Sequence, residues 1–152
     1  MRPPPTTKNS LSVARQKIVF AWGTFDLLRA GHIEYLKKAR ALGDYLVVAV
    51  YSDAVVSQRY GKTRPIVPQK ERMEVLSSFA VVDRVIPLKE WPPHNKIKKI
   101  APDIIASCGV ENDSDLEAAV CNMNRQFVRI KLRSPKATTA LIQKIRTLFK
   151  HR

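Results

Sequence analysis

The stretch GTFDLLRAGHIEYLKKARALG, residues 23–43, decides how this chain is read. It follows KIVFAW (17–22), a short, mostly apolar run of strand length. Gly23 ends the run and permits a tight turn with close backbone approach to a ligand. Farther on, Ile33, Leu36, Ala39 and Ala41 recur near helical spacing, Lys37, Lys38 and Arg40 face outward, and Gly43 stops the helix. A buried strand, a glycine turn and a helix start at Gly31 and His32 form a cradle for phosphate, because the first N–H groups of a helix lack partners and its dipole favours an anion. Thr24 adds a hydroxyl. Arg29 and His32, three residues apart, can face the same phosphate if the turn is compact. Taken alone, G-T-F-D also fits an ordinary strand–turn–helix with a surface arginine and a capping histidine.

The rest of the chain supplies the context. DYLVVAVYSD (44–53), VVDRVIPL (81–88), PDIIASC (102–108) and QFVRIKL (126–132) read as four further strands. PQKERMEVLSSF (68–79) reads as a helix with proline near its first position and Met73, Val75 and Leu76 inward. TTALIQKIRTLF (138–149) reads as a closing helix with a threonine start and an apolar face at Leu141, Ile142, Ile145 and Leu148. Continuous apolar strands alternating with helices predict an α/β, doubly wound, parallel five-stranded sheet covered on both faces. Ligands of such sheets sit beyond the carboxyl ends of the strands, at a switch in strand order, and the Gly23 turn falls at such an end.

Composition bounds the function. A chain of 152 residues with 45% apolar content suits one core, so residues 17–152 are expected to form a single domain. Residues 1–16, MRPPPTTKNSLSVARQ, are basic and acid-free and read as a flexible arm; their three consecutive prolines oppose the amphipathic helix of an organelle transit peptide. The formal charge of +14 favours an anionic partner: a nucleotide, a phosphorylated substrate or nucleic acid. After Glu117 no acidic residue occurs while nine lysines and arginines follow, which describes either a solvated basic face or a phosphate or RNA surface. Cys108 and Cys121 lack metal-ligand spacing, so neither zinc nor a disulfide framework is indicated and no metal ligand set is expected. No apolar run approaches the ~18 residues of a membrane span, and no membrane partner is expected. A cytoplasmic location is the default, with an organelle matrix such as the mitochondrion as the alternative. ENDSDLE (111–117) reads as a solvated helix start, Trp22, Trp91 and the tyrosines as packing residues, and His94 and His151 as members of exposed basic segments.

The motif and its sequel resemble a family. GTFDLLRAGHIEYLKKARALGDYLVVAVYSD, then GKTRPIVPQKERMEVLSSFAVVDRVI, then ATTALIQKI are similar, in order and over roughly residues 17–147, to the cytidylyltransferase-like nucleotidyltransferases with their GxFDxxHxGHxxxL and STTxxIxxI segments. TRPIVP and ERM are most similar to the heptose 1-phosphate adenylyltransferases, with glycerol-3-phosphate cytidylyltransferase next. The resemblance implies a Rossmann-like nucleotidyltransferase fold and transfer of a nucleotidyl group from CTP or ATP to a phosphorylated sugar or polyol, with Mg²⁺ and release of pyrophosphate. It implies that Gly23, Thr24, Phe25, Gly31, Arg72, Thr138 and Thr139 bind the nucleotide and that His32 acts on the triphosphate. A homodimer is among the assemblies it allows. Asp26 matches the motif aspartate, either as a ligand contact or as a local turn residue.

Four positions depart from the family pattern. Arg29 replaces the first motif histidine, Tyr60 stands at a central-loop lysine, Val110 at a carboxylate and Ala137 at a serine. Arginine is permanently charged and grips phosphate, so Arg29 is retained as a candidate catalytic residue, and Arg59 or Lys62, beside Tyr60, is the candidate replacement for the missing lysine, with Lys62 taken as the catalytic candidate. Two readings stay open. One is an active nucleotidyltransferase; the other is a catalytically silent relative that serves as a structural or RNA- or protein-binding subunit through its basic carboxyl-terminal third.

Overall fold

The computed structural model describes residues 15–109, 113–133 and 138–150. Five strands, β1 (Ile18–Gly23), β2 (Tyr45–Tyr51), β3 (Arg84–Leu88), β4 (Ile104–Ser107) and β5 (Gln126–Arg129), pair in parallel in the order β3-β2-β1-β4-β5. The helices are α1 (Ala30–Arg40), α2 (Asp53–Tyr60), α3 (Gln69–Ser77), α4 (His94–Ile100), α5 (Ser114–Asn122) and α6 (Thr138–Leu148). The expected α/β architecture and doubly wound sheet are present.

The alternation of side chains along a strand explains why the central strands are apolar throughout. Val19 and Ala21 of β1, with Leu46, Val48 and Val50 of β2, meet Tyr35, Leu36 and Ala39 of α1 and Leu76 of α3 in one core cluster. Phe20 and Trp22, with Val47, Ala49 and Tyr51, meet Val55 and Val56 of α2, Ile97 of α4, and Leu116 and Val120 of α5 in the other. Residues 19–22 of β1 and 46–51 of β2 are therefore buried whichever way they point.

The chain runs outward from β1 to β2 and β3, then returns to place β4 against the other side of β1. β1 and β4 stay in register only to Ala21↔Ala106. Where the strands part, the Tyr35 hydroxyl donates to Ala106 O at 2.8 Å and accepts from Trp22 N at 3.2 Å. A side chain of α1 thus takes the place of ladder bonds at the switch in strand order.

Several boundaries differ from the sequence expectation. The apolar pattern of 81–88 extends too far: Val82 N closes a turn on Phe79 O, and the strand begins only at Arg84. The helices α2 and α4 are additional to the elements read from sequence. α2 starts at Ser52, whose hydroxyl accepts from Val55 N at 3.3 Å, a cap inside a segment that reads as strand. Ile33, Ala41 and Val75 face outward, because the inward stripes are Tyr35, Leu36 and Ala39 on α1, and Arg72 and Leu76 on α3. α6 carries its apolar face but buries none of its residues. Most of the basic arm, residues 1–14, and Val110, Lys136, Ala137 and His151 lie outside the described residues.

Candidate active site

The loop joining β1 to α1 is fixed by two buried ionic nodes. Asp26, 1% exposed, accepts from Arg64 Nε at 2.8 Å and Ile66 N at 2.9 Å on one carboxylate oxygen, and from Val67 N at 3.0 Å on the other. The motif aspartate therefore anchors the central loop, a long-range structural role and not the local turn role that the sequence suggested. Its carbonyl accepts from the Thr138 hydroxyl at 3.0 Å, which ties the start of α6 to the same loop.

Arg72 is the second node. It is 1% exposed. Its guanidinium donates to Val67 O at 2.8 Å, Thr24 O at 2.5 Å, Tyr51 O at 2.9 Å and Asp53 Oδ1 at 2.6 Å. The planar fork matches four acceptors from the motif turn, the end of β2, the start of α2 and the central loop. This arginine binds backbone, and its geometry is that of a clamp.

Phe25 is also interior. Its ring lies 6.3 Å from the Tyr35 ring and 5.7 Å from the His32 ring. Phe25 and Leu27 have φ of +53° and +55°, left-handed conformations that cost a side-chain-bearing residue about 1–2 kcal/mol each. The two ionic nodes hold this strain. Gly23 is tightly packed here: a Cβ would stand 3.1 Å from the Phe25 ring, which would have to yield by a few tenths of an ångström.

His32 is oriented from below. Its Nδ1 accepts from Arg29 N at 3.0 Å, so the neutral ring carries its proton on Nε2. Burial, reinforced by the Arg29 guanidinium, holds the imidazole below its ordinary pKa. The residue is a neutral hydrogen-bond donor beside a permanent cation. Arg29 caps α1 in an extended conformation, and Gly31 lies in the first turn of that helix. Lys62 is exposed on the turn after Gly61, and Thr139 is exposed on α6.

Near the end of β4, the Ser107 hydroxyl donates to the buried Asp113 carboxylate, and Gly109 N donates to Ser107 Oγ at 3.0 Å. Asp113 corrects the reading of 111–117 as wholly solvated, because it caps α5 from inside the fold. On the β3 side, Arg59 lies over the Trp91 ring at 3.0 Å and Trp91 packs on Tyr51 at 5.0 Å. Tyr60, at the lysine position, is exposed between Arg59 and Arg64. His94 is half-buried, not exposed, and its Nε2 is buried without a hydrogen-bond partner. Sequence reasoning did not single out Arg64, Tyr35, Ser107 or Asp113; their partners lie 38, 71, 6 and 6 residues away.

The switch in strand order beside β1, the glycine turn and the neutral His32 beside a cation agree with a match between residues 20–148 and the cytidylyltransferase-like family model. The chain belongs to that family. It is 39% identical over 132 residues to the bifunctional protein HldE of Cronobacter sakazakii, and 42% identical over 134 residues to that of Pseudomonas savastanoi pv. phaseolicola. These alignments cover 86% and 87% of this chain but 28% of each relative, so the chain spans little more than a quarter of their length. A lipopolysaccharide core biosynthesis protein from Thermoplasma volcanium superposes with a TM-score of 0.68 at 31% identity, over 79% of this chain and all of that one. The pantoate-beta-alanine ligase of Francisella tularensis, at 17% identity and a TM-score of 0.55 over 95% of this chain and 75% of its own, shares the fold alone. Among the described residues no helix is long and apolar enough to cross a membrane.

Proposed function

We propose that this domain transfers a nucleotidyl group from CTP or ATP to the phosphate of a phosphorylated sugar or polyol. An acceptor phosphate oxygen attacks the α-phosphorus, the bond to the bridging oxygen breaks, and pyrophosphate leaves with the electron pair. The observation that carries this reading is His32: neutral, with its proton on Nε2, and adjacent to a permanent cation at a helix start. Such a donor follows negative charge as it moves onto the leaving phosphates without giving up its proton. Arg29 keeps the cationic character that the site needs in place of the missing histidine. Gly23, Thr24 and Gly31 allow close approach of the triphosphate, Lys62 and Thr139 reach it from exposed positions, and Thr138 acts at the head of α6. Arg72 and Phe25 act through the loops they hold. The similarity of TRPIVP and ERM makes a heptose 1-phosphate the first acceptor to try.

Magnesium enters this reading on the nucleotide. Among the described residues no group of three His, Cys, Asp or Glu side chains could hold a metal. Asp26 spends both carboxylate oxygens on Arg64 and two backbone N–H groups, so it does not fit a resident metal ligand. No step is assigned to a protein-bound ion.

The test is pyrophosphate release with CTP or ATP, Mg²⁺ and a panel of sugar 1-phosphates and glycerol 3-phosphate. The expected result is saturable release with one acceptor class and loss of at least ~10²-fold in His32→Ala. Nucleotide binding with no release for any acceptor would instead support the silent, structural reading.

A further inference from the structure

Helix α6 leaves its apolar side uncovered. None of its residues is buried, and Ile145, Leu148 and Phe149 are 43%, 66% and 61% exposed. Phe149 N donates to Ile145 O at 3.2 Å, so the helical turn runs on past Leu148. At about 100° per residue, Leu141, Ile142, Ile145, Leu148 and Phe149 fall on one stripe. Leu141 and Ile142 are half-covered by the domain, whereas the last turns stand clear. Lys144 and Arg146 occupy opposite edges of the stripe, and no acidic residue occurs anywhere after Glu117.

We propose that the carboxyl-terminal turns of α6 lie on an anionic lipid surface. The stripe enters the boundary between headgroups and acyl chains, and Lys144 and Arg146 reach lipid phosphates from its two edges, their stems covering apolar surface. Charge selects this occupant. Contact with RNA could stack Phe149 on a base but leaves Ile145 and Leu148 nothing to bury against. A second copy meeting this face symmetrically would bring Lys144 and Arg146 of both copies together, with no acid in the helix to offset them. A helix that lies on a surface needs no span, so this proposal departs from the expectation of no membrane partner while agreeing with the absence of a spanning helix among the described residues.

The test is co-sedimentation of the full chain with vesicles of phosphatidylcholine, or of phosphatidylcholine with about a third phosphatidylglycerol. Binding to the anionic vesicles alone is expected. The doubly substituted Leu148→Ser, Phe149→Ser chain is expected to partition at least about tenfold less, with unchanged thermal stability because both residues are exposed. Three results would overturn the proposal: no binding to anionic vesicles, partition unaltered by the double substitution, or a dimer in sedimentation velocity that the double substitution dissolves. The second would mean plain attraction of a highly charged chain, and the third would assign the face to another copy.

Discussion

Replacing Arg72 with methionine keeps most of the buried volume and removes the guanidinium. Three carbonyls, of Thr24, Tyr51 and Val67, then lose a donor inside the fold, and Asp53 loses its guanidinium partner while keeping the Gln69 N–H. The Asp53 side chain is 49% exposed and can rehydrate, so the carbonyls carry most of the cost. Leaving a buried acceptor without its donor costs about 1–3 kcal/mol, so the three carbonyls together cost on the order of 3–5 kcal/mol. At roughly 2–4 °C per kcal/mol for a chain of this size, melting should fall by on the order of 10 °C. Arg72→Lys should recover less than half of this, since an ammonium cannot reproduce the planar fork. Thermal and urea unfolding followed by circular dichroism measure both. A melting temperature of Arg72→Met within about 2 °C of the parent, combined with lost nucleotide binding, would refute the clamp and make Arg72 a nucleotide ligand.

His32 gives a pH signature. Its folded pKa is depressed, so the unfolded chain binds more protons as pH falls through the ordinary histidine value of about 6.5. The contribution is fully present above that value and is lost as pH falls toward the folded value; urea titrations should show this decline, and His32→Gln should flatten it. Ser107→Ala leaves the buried Asp113 carboxylate short of a donor and should cost about 1–3 kcal/mol in the same unfolding assay. Arg29→Ala should weaken triphosphate binding and reduce its salt dependence, measured by titration at two ionic strengths, while melting changes little.

The fold was legible because β1, β2 and β4 are buried on both faces, which leaves unbroken apolar runs, and because Gly23 and Gly43 punctuate the first strand–helix unit. The short helices α2 and α4 were not legible: Val55 and Val56 prolong a strand-like run, and the seven residues of α4 are too few to establish a period. The motif residues stood out in the sequence, but the partners that hold Arg72 and Asp26 did not. Arg72 sits in QKERME, where every neighbouring charge suggests solvent, yet it is buried because the acceptors around it come from four separate elements. Asp26 likewise looks like a ligand until Arg64, Ile66 and Val67 fold onto it from about forty residues away. Such partners are created by topology and leave no local pattern.

The proposed function requires that the β1–α1 loop bind a nucleoside triphosphate through His32. Isothermal titration of the parent chain and of His32→Ala with CTP and with ATP, each with Mg²⁺, tests it most directly. The account predicts saturable one-site binding of one nucleotide, weakened more than about tenfold in the variant, as befits a hydrogen bond to a charged group. Absence of heat with both nucleotides, or equal affinity in the variant, would contradict it.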